Sequence, residues 1–226
     1  MLLNMAPVLQ NSSTNDLVIV VHGLWMHGLA CAVLAHRLRH GGFRVETFSY
    51  PSVRWPLSVI AARLHDFARS RSTQRVHFVG HSLGGLVILN MLSTWTDLPP
   101  GRVVLLGSPC TDCESARQLG ARSGGRLVLG RALHGWSCED GEAVAHRLPV
   151  GVIAGTRRIG MGRLFVRLSG PNDGVVTVEE TRLPGRAAHR VMPVSHSGML
   201  VSSAVAEQVV CFLREGRFTG DGARAR

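Results

Sequence analysis

The stretch GHSLG at residues 80–84 decides the fold of this chain, because it places a serine between two glycines at a strand-to-helix junction. A β-branched, apolar run precedes it from Val76, and apolar residues with helical spacing follow it from Leu86. The flanking glycines permit a very sharp turn that pushes the hydroxyl of Ser82 out of the sheet edge. The helix start would place free N–H groups and partial positive charge beside that hydroxyl. This arrangement predicts that Ser82 is a nucleophile.

Apolar, β-branched runs alternate with helical patterns along the chain, as in an α/β fold with a mainly parallel sheet. Strands are predicted at residues 17–21, 43–48, 76–79, 103–106, 150–154 and 190–194. Helices are predicted at residues 31–40, 57–69 and 200–213, and directly after Ser82. We therefore predict a single α/β domain over residues 1–226, with about six strands flanked by helices and a core from about 17 to 213.

Two segments depart from this alternation. Residues 110–147 are rich in glycine, arginine and small side chains. We interpret them as a variable excursion at the carboxyl end of the sheet, where open α/β folds bind ligands. The glycine- and arginine-rich tail at residues 216–226 is predicted to be flexible.

The composition indicates a globular protein, with 45% apolar and 18% charged residues among 226. No window approaches the roughly 20 uninterrupted apolar residues of a membrane-spanning helix. The first ten residues lack a basic region and a cleavage site, so no signal peptide is predicted. Five cysteines, an odd number, argue against a disulfide framework, and we expect a cytoplasmic protein.

The formal charge of +10 depends on arginine alone, since all 25 basic residues are arginine and none is lysine. The arginines are dispersed and are not interleaved with aromatic residues, so nucleic acid is not predicted as a partner. Weak association with an anionic membrane surface remains compatible with this charge.

A serine hydroxyl needs a base to accept its proton and a carboxylate to orient that base. Asp173 is the predicted acid, because it lies in an Asn-Asp-Gly turn after the fifth strand, although this sequence is also common in plain surface turns. His196 is the predicted base, because it lies between the last strand and the last helix. Ser82, Asp173 and His196 then follow one another in the order serine, acid, histidine, which is typical of folds with such a serine turn.

Two backbone N–H groups are predicted to bind the oxyanion. One belongs to Leu83, directly after the serine, and the other to Leu24, in the loop after the first strand. Trp25, Met26 and Met199 are predicted to line a substrate pocket, although ordinary packing of these residues on the core explains them equally well.

Four motifs together resemble the α/β-hydrolase superfamily: VHGL at 21–24, GHSLGG at 80–85, NDGVV at 172–176 and SHSGM at 195–199. The chain looks most similar to small bacterial lipase- or esterase-like members that are related to GPI-inositol deacylase-like hydrolases. The resemblance runs from about 17 to 213. It implies a six-stranded core, a triad of Ser82, Asp173 and His196, and an ester or related acyl substrate. No cofactor or metal is expected, and the shortness of the chain predicts a minimal cap.

The residues and the resemblance predict a serine hydrolase that cleaves carboxylic esters, including lipid-like or other hydrophobic acyl esters. An acyltransferase that uses the same acyl-enzyme, and a non-catalytic binding protein on the same fold, remain the alternatives. Cys110 and Cys113 form a C-x-x-C pair, but no second pair of cysteines or histidines with metal spacing stands beside it. Neither a redox role nor a metal role is therefore predicted for these two residues.

Overall fold

A six-stranded parallel sheet forms the centre of the protein. The computed structural model describes residues 16–71, 75–99, 101–111, 118, 136–159 and 168–220. The strands are β1 (Leu17–Val21), β2 (Arg44–Phe48), β3 (Val76–His81), β4 (Val103–Leu106), β5 (Val150–Gly155) and β6 (Ala188–Met192). They pair in the order β2-β1-β3-β4-β5-β6, and every pair is parallel. The predicted α/β fold with about six strands is confirmed.

Helices connect the strands and cover both faces of the sheet. In the described part of the chain they are α1 (Ala32–His40), α2 (Leu57–Arg69), α3 (Leu83–Thr94), α4 (Cys138–Arg147) and α5 (Ser203–Glu215). Two short 3-10 turns, Gly28–Cys31 and Ser197–Leu200, precede α1 and α5. The last helix therefore begins three residues later than predicted, at the point where the side chain of Ser202 accepts a hydrogen bond from the Val205 N–H.

The core is divided into two layers by the alternation of side chains along the strands. Leu17, Ile19 and Val21 of β1 pack into one buried cluster, together with α2, α3 and α4. Val18 and Val20 of the same strand pack into the other cluster, together with α1 and α5. Successive side chains of a strand point to opposite faces, so an uninterrupted apolar strand fills both layers. Each such side chain contributes about 1.5–3 kcal/mol when it is buried.

The predicted excursion at 110–147 is corrected at its carboxyl end, where residues 138–147 form the regular crossover helix α4. Ser137 caps this helix by accepting a hydrogen bond from the Glu139 N–H, and Val144 and Ala145 are buried against the first cluster. The sequence pattern did not reveal this helix, because its buried face consists of a mid-helix glycine, Gly141, and only two apolar residues, Val144 and Ala145. Residues 112–117 and 119–135 lie outside the described residues.

The predicted flexible tail is also corrected for its first residues. Phe218 is only 1% exposed, and its ring lies 4.9 Å from that of Phe212 in α5. Gly216 ends α5 in the left-handed conformation, with φ of 77°, and so turns the chain back onto the helix. Residues 216–220 therefore belong to the packed domain, whereas residues 221–226 lie outside the described residues.

Helix α3 crosses β1 and β3 unusually closely, and three glycines make this possible. A Cβ atom on Gly84 would lie 2.3 Å from the carbonyl oxygen of Val21, and a Cβ on Gly80 would lie 2.6 Å from the Cα of Gly85. Both contacts involve backbone atoms, which a flexible side chain could not relieve. The glycines flanking Ser82 thus fix the position of the helix that begins beside it.

Strand β3 carries two buried histidines that are held neutral. The Nδ1 atom of His77 accepts a hydrogen bond from the Arg102 N–H at 2.9 Å, and its Nε2 lies 3.3 Å from a carboxylate oxygen of Asp16. Burial lowers the pKa of His77 and lowers the pKa of His81 to about 3. Both rings are therefore neutral in the folded protein at pH 7, with a single N–H each.

Stability should consequently fall in mildly acidic solution. The folded pKa of His81 is about 3, and the ordinary histidine pKa is 6.5. The unfolded chain therefore binds an extra proton between these two values, and stability rises with pH across that window. At pH 5 this one residue should reduce the free energy of unfolding by about 2 kcal/mol relative to pH 7.5. Urea unfolding of wild type and of His81→Gln at both pH values measures the difference.

The control for this experiment is His40→Gln, which alters an exposed histidine near the end of α1. The control should keep the full pH dependence, whereas His81→Gln should lose about 2 kcal/mol of it. An unchanged pH dependence in His81→Gln would contradict the assignment of His81 as a buried neutral group.

The close helix crossing gives a second prediction. Gly84→Ala should destabilise the protein by about 3 kcal/mol or more, because its Cβ would collide with backbone rather than with a movable side chain. Asn90→Ala is the matched control, since Asn90 is a partly buried residue of the same helix. Chemical denaturation measures the free energy of unfolding of both variants. Equal denaturation midpoints for the two variants would refute the proposed steric cause.

Candidate active site

Ser82 occupies the sharp turn between β3 and α3 in a strained conformation. Its φ of 54° and ψ of −123° are rare for a residue with a Cβ, and such strain costs about 1–3 kcal/mol. The surrounding backbone holds the turn: the Ser82 N–H donates to the Leu106 carbonyl at 2.9 Å, and the Gly85 N–H donates to the Ser82 carbonyl at 3.0 Å. The residue remains partly exposed, so a ligand can reach its hydroxyl.

Asp173 and His196 form a buried hydrogen-bonded pair, although 23 residues separate them. The Nδ1–H of His196 donates to one carboxylate oxygen of Asp173 at 2.7 Å. The other carboxylate oxygen accepts from the N–H groups of Val175 and Val176, at 2.9 and 2.8 Å. A carboxylate that only accepts hydrogen bonds requires the proton on Nδ1, which leaves the Nε2 lone pair of His196 available as a base.

Two glycines at strand ends provide space for this pair. A Cβ on Gly107, after β4, would lie 2.9 Å from an oxygen of Asp173 and 3.1 Å from the Nδ1 of His196. A Cβ on Gly155, the last residue of β5, would lie 2.8 Å from the Cβ of Asp173. Gly107 also has a positive φ of 56°, which favours glycine. The pair therefore rests directly on the carboxyl edge of the sheet.

His81 connects the histidine loop to the serine turn. Its Nε2–H donates to the carbonyl oxygen of His196 at 2.9 Å, and the two rings lie 4.7 Å apart. The base is thereby attached to the residue next to Ser82. The hydroxyl of Ser82 and the ring of His196 share no hydrogen bond in this conformation; in ligand-free sites this bond often tightens only when substrate binds. No motif in the sequence indicated this role for His81.

The loop after β1 lies against Ser82. A Cβ on Gly23 would be 3.0 Å from the Cβ of Ser82. His22 fixes this loop: its Nδ1–H donates to the Gly23 carbonyl at 2.8 Å, and its Nε2 accepts from the Tyr50 N–H at 3.2 Å. The Tyr50 ring stacks on His22 at 4.3 Å, and its hydroxyl donates to the His22 carbonyl. Burial lowers the pKa of His22, so this ring is neutral at pH 7.

Of the two predicted oxyanion donors, Leu83 directly follows Ser82, and Leu24 directly follows Gly23, whose backbone lies against Ser82. The next N–H in the loop, that of Trp25, is occupied because it donates to the Ser52 hydroxyl at 3.0 Å. The Leu24 N–H has no acceptor within the described part of the chain. The Leu83 N–H belongs to the first turn of α3, where amides have no acceptor inside the helix. Both groups are therefore available to a bound oxygen.

The three predicted pocket residues have different environments. Trp25 is 57% exposed, and Met26 is partly buried against the second core cluster. Met199 is fully buried, with its methyl group beside Gly155 in the core beneath Asp173. The assignment of Met199 to the substrate pocket is therefore wrong, because the 3-10 turn after His196 directs this side chain into the core.

The cysteines give no sign of a reactive or metal-binding site among the described residues. Burial raises the pKa of the Cys110 thiol to about 12, which makes it a poor nucleophile at neutral pH. Cys113 lies outside the described residues. Within the described ranges, no cluster of three or more His, Cys, Asp or Glu side chains has the geometry of a metal site.

No helix among residues that the structure describes has the length and apolar character needed to cross a bilayer.

Comparison with known proteins identifies the fold. The sequence model of the "Alpha/beta hydrolase family" matches residues 18–199. A search among curated proteins returns no match. Solved structures with a similar fold include a bromoperoxidase from Bacillus anthracis, with 15% identity, a TM-score of 0.65, and coverage of 89% of this chain and 93% of that one.

Two further solved structures are similar. Carboxylesterase CesB from Bacillus subtilis has 13% identity and a TM-score of 0.60, over 89% of this chain and 84% of that one. Phospholipase PlaB from Legionella pneumophila, solved in complex with thio-NAD, has 19% identity and a TM-score of 0.58, over 75% of this chain. The chain matches only 44% of the phospholipase. At these identities the structures support the fold, and the match to the family model covers most of the sequence: the chain belongs to the alpha/beta hydrolase family.

Proposed function

We propose that this protein is a serine hydrolase that cleaves carboxylic esters through an acyl-enzyme. The observation that carries the proposal is the hydrogen-bonded Asp173–His196 pair, attached through His81 to the strained turn that holds Ser82. Ser82 would be the nucleophile, His196 the base and Asp173 the orienting carboxylate, and the position of all three at one edge of the sheet supports these roles.

Each residue would have a defined role in the reaction. The Ser82 oxygen attacks the ester carbonyl carbon while the Nε2 of His196 accepts the hydroxyl proton. The N–H groups of Leu24 and Leu83 stabilise the negative charge on the former carbonyl oxygen. His196 then returns the proton to the departing alcohol, which leaves Ser82 acylated. Asp173 keeps the imidazole oriented and stabilises its cationic form.

Deacylation follows the same chemical steps with water as the nucleophile. His196 accepts a proton from water as the hydroxide adds to the acyl carbon, and it then protonates the Ser82 oxygen as the carboxylic acid departs. The acyl group leaves as the acid, and the enzyme returns to its starting state. An acyltransferase would differ only in the second nucleophile, since an alcohol or amine would replace water.

The energetics of the turn favour an enzyme over a binding protein on the same fold. The strained Ser82 backbone costs about 1–3 kcal/mol, and a binding protein would gain nothing from it. The free N–H groups beside that serine suit a developing oxyanion rather than a neutral ligand. Leu24, Trp25 and Met26 supply apolar surface next to these donors, which favours a hydrophobic acyl group.

We also propose that the protein is cytoplasmic. Among the described residues, the buried Cys31 and Cys110 are free thiols. Free thiols are typical of a reducing compartment.

The triad gives a direct prediction. Ser82→Ala and His196→Ala should each lower kcat for p-nitrophenyl esters by about 10⁴-fold or more, and Asp173→Asn by about 10³–10⁴-fold. A fluorophosphonate probe should label wild type but not Ser82→Ala. His40→Ala is the matched histidine control and should retain wild-type turnover, because His40 is exposed near the end of α1.

Melting temperatures of all variants establish that each is folded before activity is compared. Turnover near the wild-type value in a folded Ser82→Ala or His196→Ala would refute the proposed mechanism, and so would fluorophosphonate labelling that persists without Ser82.

Acyl chain length tests the substrate class. With p-nitrophenyl esters from acetate to laurate, kcat/KM should rise about fourfold for each CH₂ that the site buries and then level off. A steady fall from acetate onward would exclude a hydrophobic acyl site. Product analysis with methanol or hydroxylamine as a competing acceptor separates hydrolysis from acyl transfer, and a product dominated by the transferred acyl group would favour the transferase.

A further inference from the structure

Four large apolar side chains are exposed in the loops at the carboxyl edge of the sheet. Leu29 is 86% exposed, Ile159 65%, Trp25 57% and Val201 54%. They follow three different strands, β1, β5 and β6, so no single loop accounts for them. Scattered apolar residues are normal on a protein surface, but several around one functional site indicate a contact surface.

The sheet order places these side chains on both sides of the nucleophile. Trp25 and Leu29 follow β1, Ser82 follows β3, and Ile159 follows β5, with β3 and β4 between the two outer strands. Neighbouring strands are about 4.8 Å apart, so the two apolar groups are separated by roughly 15 Å. The site of Ser82 therefore opens between them.

Trp25 is exposed to solvent although its backbone conformation is strained. This residue is, with Ser82, one of the two non-glycine residues with positive φ in the described part of the chain, at 58°. Its N–H is anchored by the hydroxyl of the buried Ser52. A strained backbone and a dedicated hydrogen bond that present an indole to water indicate that the indole has a binding role.

Arginines predominate among the exposed charged residues of the same loops. Arg54 follows β2, and Arg157 and Arg158 follow β5; all three are exposed. In the described parts of the loops that follow the strands, the exposed carboxylate is Glu179, which pairs with Arg182 at 2.9 Å. We refer to the apolar residues Trp25, Leu29, Ile159 and Val201, with Arg54, Arg157 and Arg158, as the arginine–apolar face.

Within the described ranges, further carboxylates near this edge lie in helices rather than in the loops. Glu139 and Asp140 are in the first turn of α4, where they interact favourably with the positive end of that helix. Glu207 of α5 lies in a groove between α1 and α5. The arginine–apolar face therefore carries a net positive charge around an apolar centre.

We propose that the arginine–apolar face binds the surface of an anionic lipid bilayer, so that lipid esters reach Ser82 from the membrane. Trp25 would lie at the level of the head groups, where indole rings are favoured, and Leu29 would enter the acyl region. Arg54, Arg157 and Arg158 would contact lipid phosphates, to which guanidinium binds in a bidentate manner. The binding step stands by itself, whereas the delivery of substrate rests on the proposed esterase function.

A second copy of this chain fits the face less well. Symmetric pairing through one surface would bring the three arginines of each copy together, and the described loops offer one exposed carboxylate, already paired, to compensate them. An anionic bilayer supplies the opposite charge and an apolar interior at once.

Binding is measured with Ser82→Ala, so that lipid is not consumed during the assay. The variant is co-sedimented either with vesicles of phosphatidylcholine alone or with vesicles that also contain about 30 mol% of the anionic lipid phosphatidylglycerol. We expect binding to the anionic vesicles that weakens as salt is raised. In this background Leu29→Ser should lower the partition coefficient about tenfold, and Leu29→Met, which keeps the apolar area, should not. Arg157→Gln with Arg158→Gln should lower it about fivefold per arginine.

The control for charge is Arg69→Gln with Arg75→Gln, which removes two exposed arginines near the opposite edge of the sheet. It should leave vesicle binding within about twofold of the parent, since only charges near the bilayer act strongly on binding. Quenching of tryptophan fluorescence by vesicles with brominated acyl chains reports on position. Trp25→Phe should remove most of this quenching while the other three tryptophans remain.

Equal binding to neutral and anionic vesicles, or unchanged binding in both Leu29→Ser and the Arg157/Arg158 variant, would overturn the proposal. Sedimentation velocity that reveals a dimer dissociated by Leu29→Ser would assign the face to self-association and also overturn it. Hydrolysis of soluble p-nitrophenyl acetate by Leu29→Ser should equal that of wild type. The vesicle assay needs no catalysis, so its failure is separate from a failure of the esterase proposal.

Discussion

The close contact between α3 and the strands beneath it is the constraint on which the rest of the site depends. Gly84 lies so near the Val21 carbonyl that no side chain fits between them, and Gly80 lies equally near Gly85. This contact forces the chain to reverse direction within one residue, and Ser82 takes a left-handed conformation as a result. The helix start is thereby placed directly behind the hydroxyl, where its free amides can act on a bound oxygen.

The remaining groups are positioned by the ends of parallel strands. Every strand of this sheet ends at the same edge, so loops that are distant in sequence converge there. β3 leads into Ser82, β1 into the loop with Leu24, and β6 into His196, while Gly107 and Gly155 leave room for the Asp173–His196 pair. His81 then links two of these loops by one hydrogen bond. Rigid strands hold the groups precisely, and the loops are left to determine substrate choice.

The surface around the site differs in character from the packed interior. The core is closed on both faces of the sheet by buried side chains from all five described helices. At the carboxyl edge, by contrast, Trp25 and Leu29 remain in water beside arginines. A globular domain of this size has enough core to bury such residues. Their exposure is the observation on which the proposed contact with an anionic bilayer rests.

The sequence by itself determined the fold class, the six strands and the position of the serine turn, because these features depend on patterns within a few neighbouring residues. It also indicated Asp173 and His196 as a candidate pair, through their positions after strands. Only the tertiary structure decided that the two side chains meet, that His81 and Tyr50 anchor the loops around them, and that Met199 faces the core. The contacts join residues that are 23 to 115 positions apart, and the direction of Met199 is set by one short turn. Patterns among a few neighbouring residues predict neither of these.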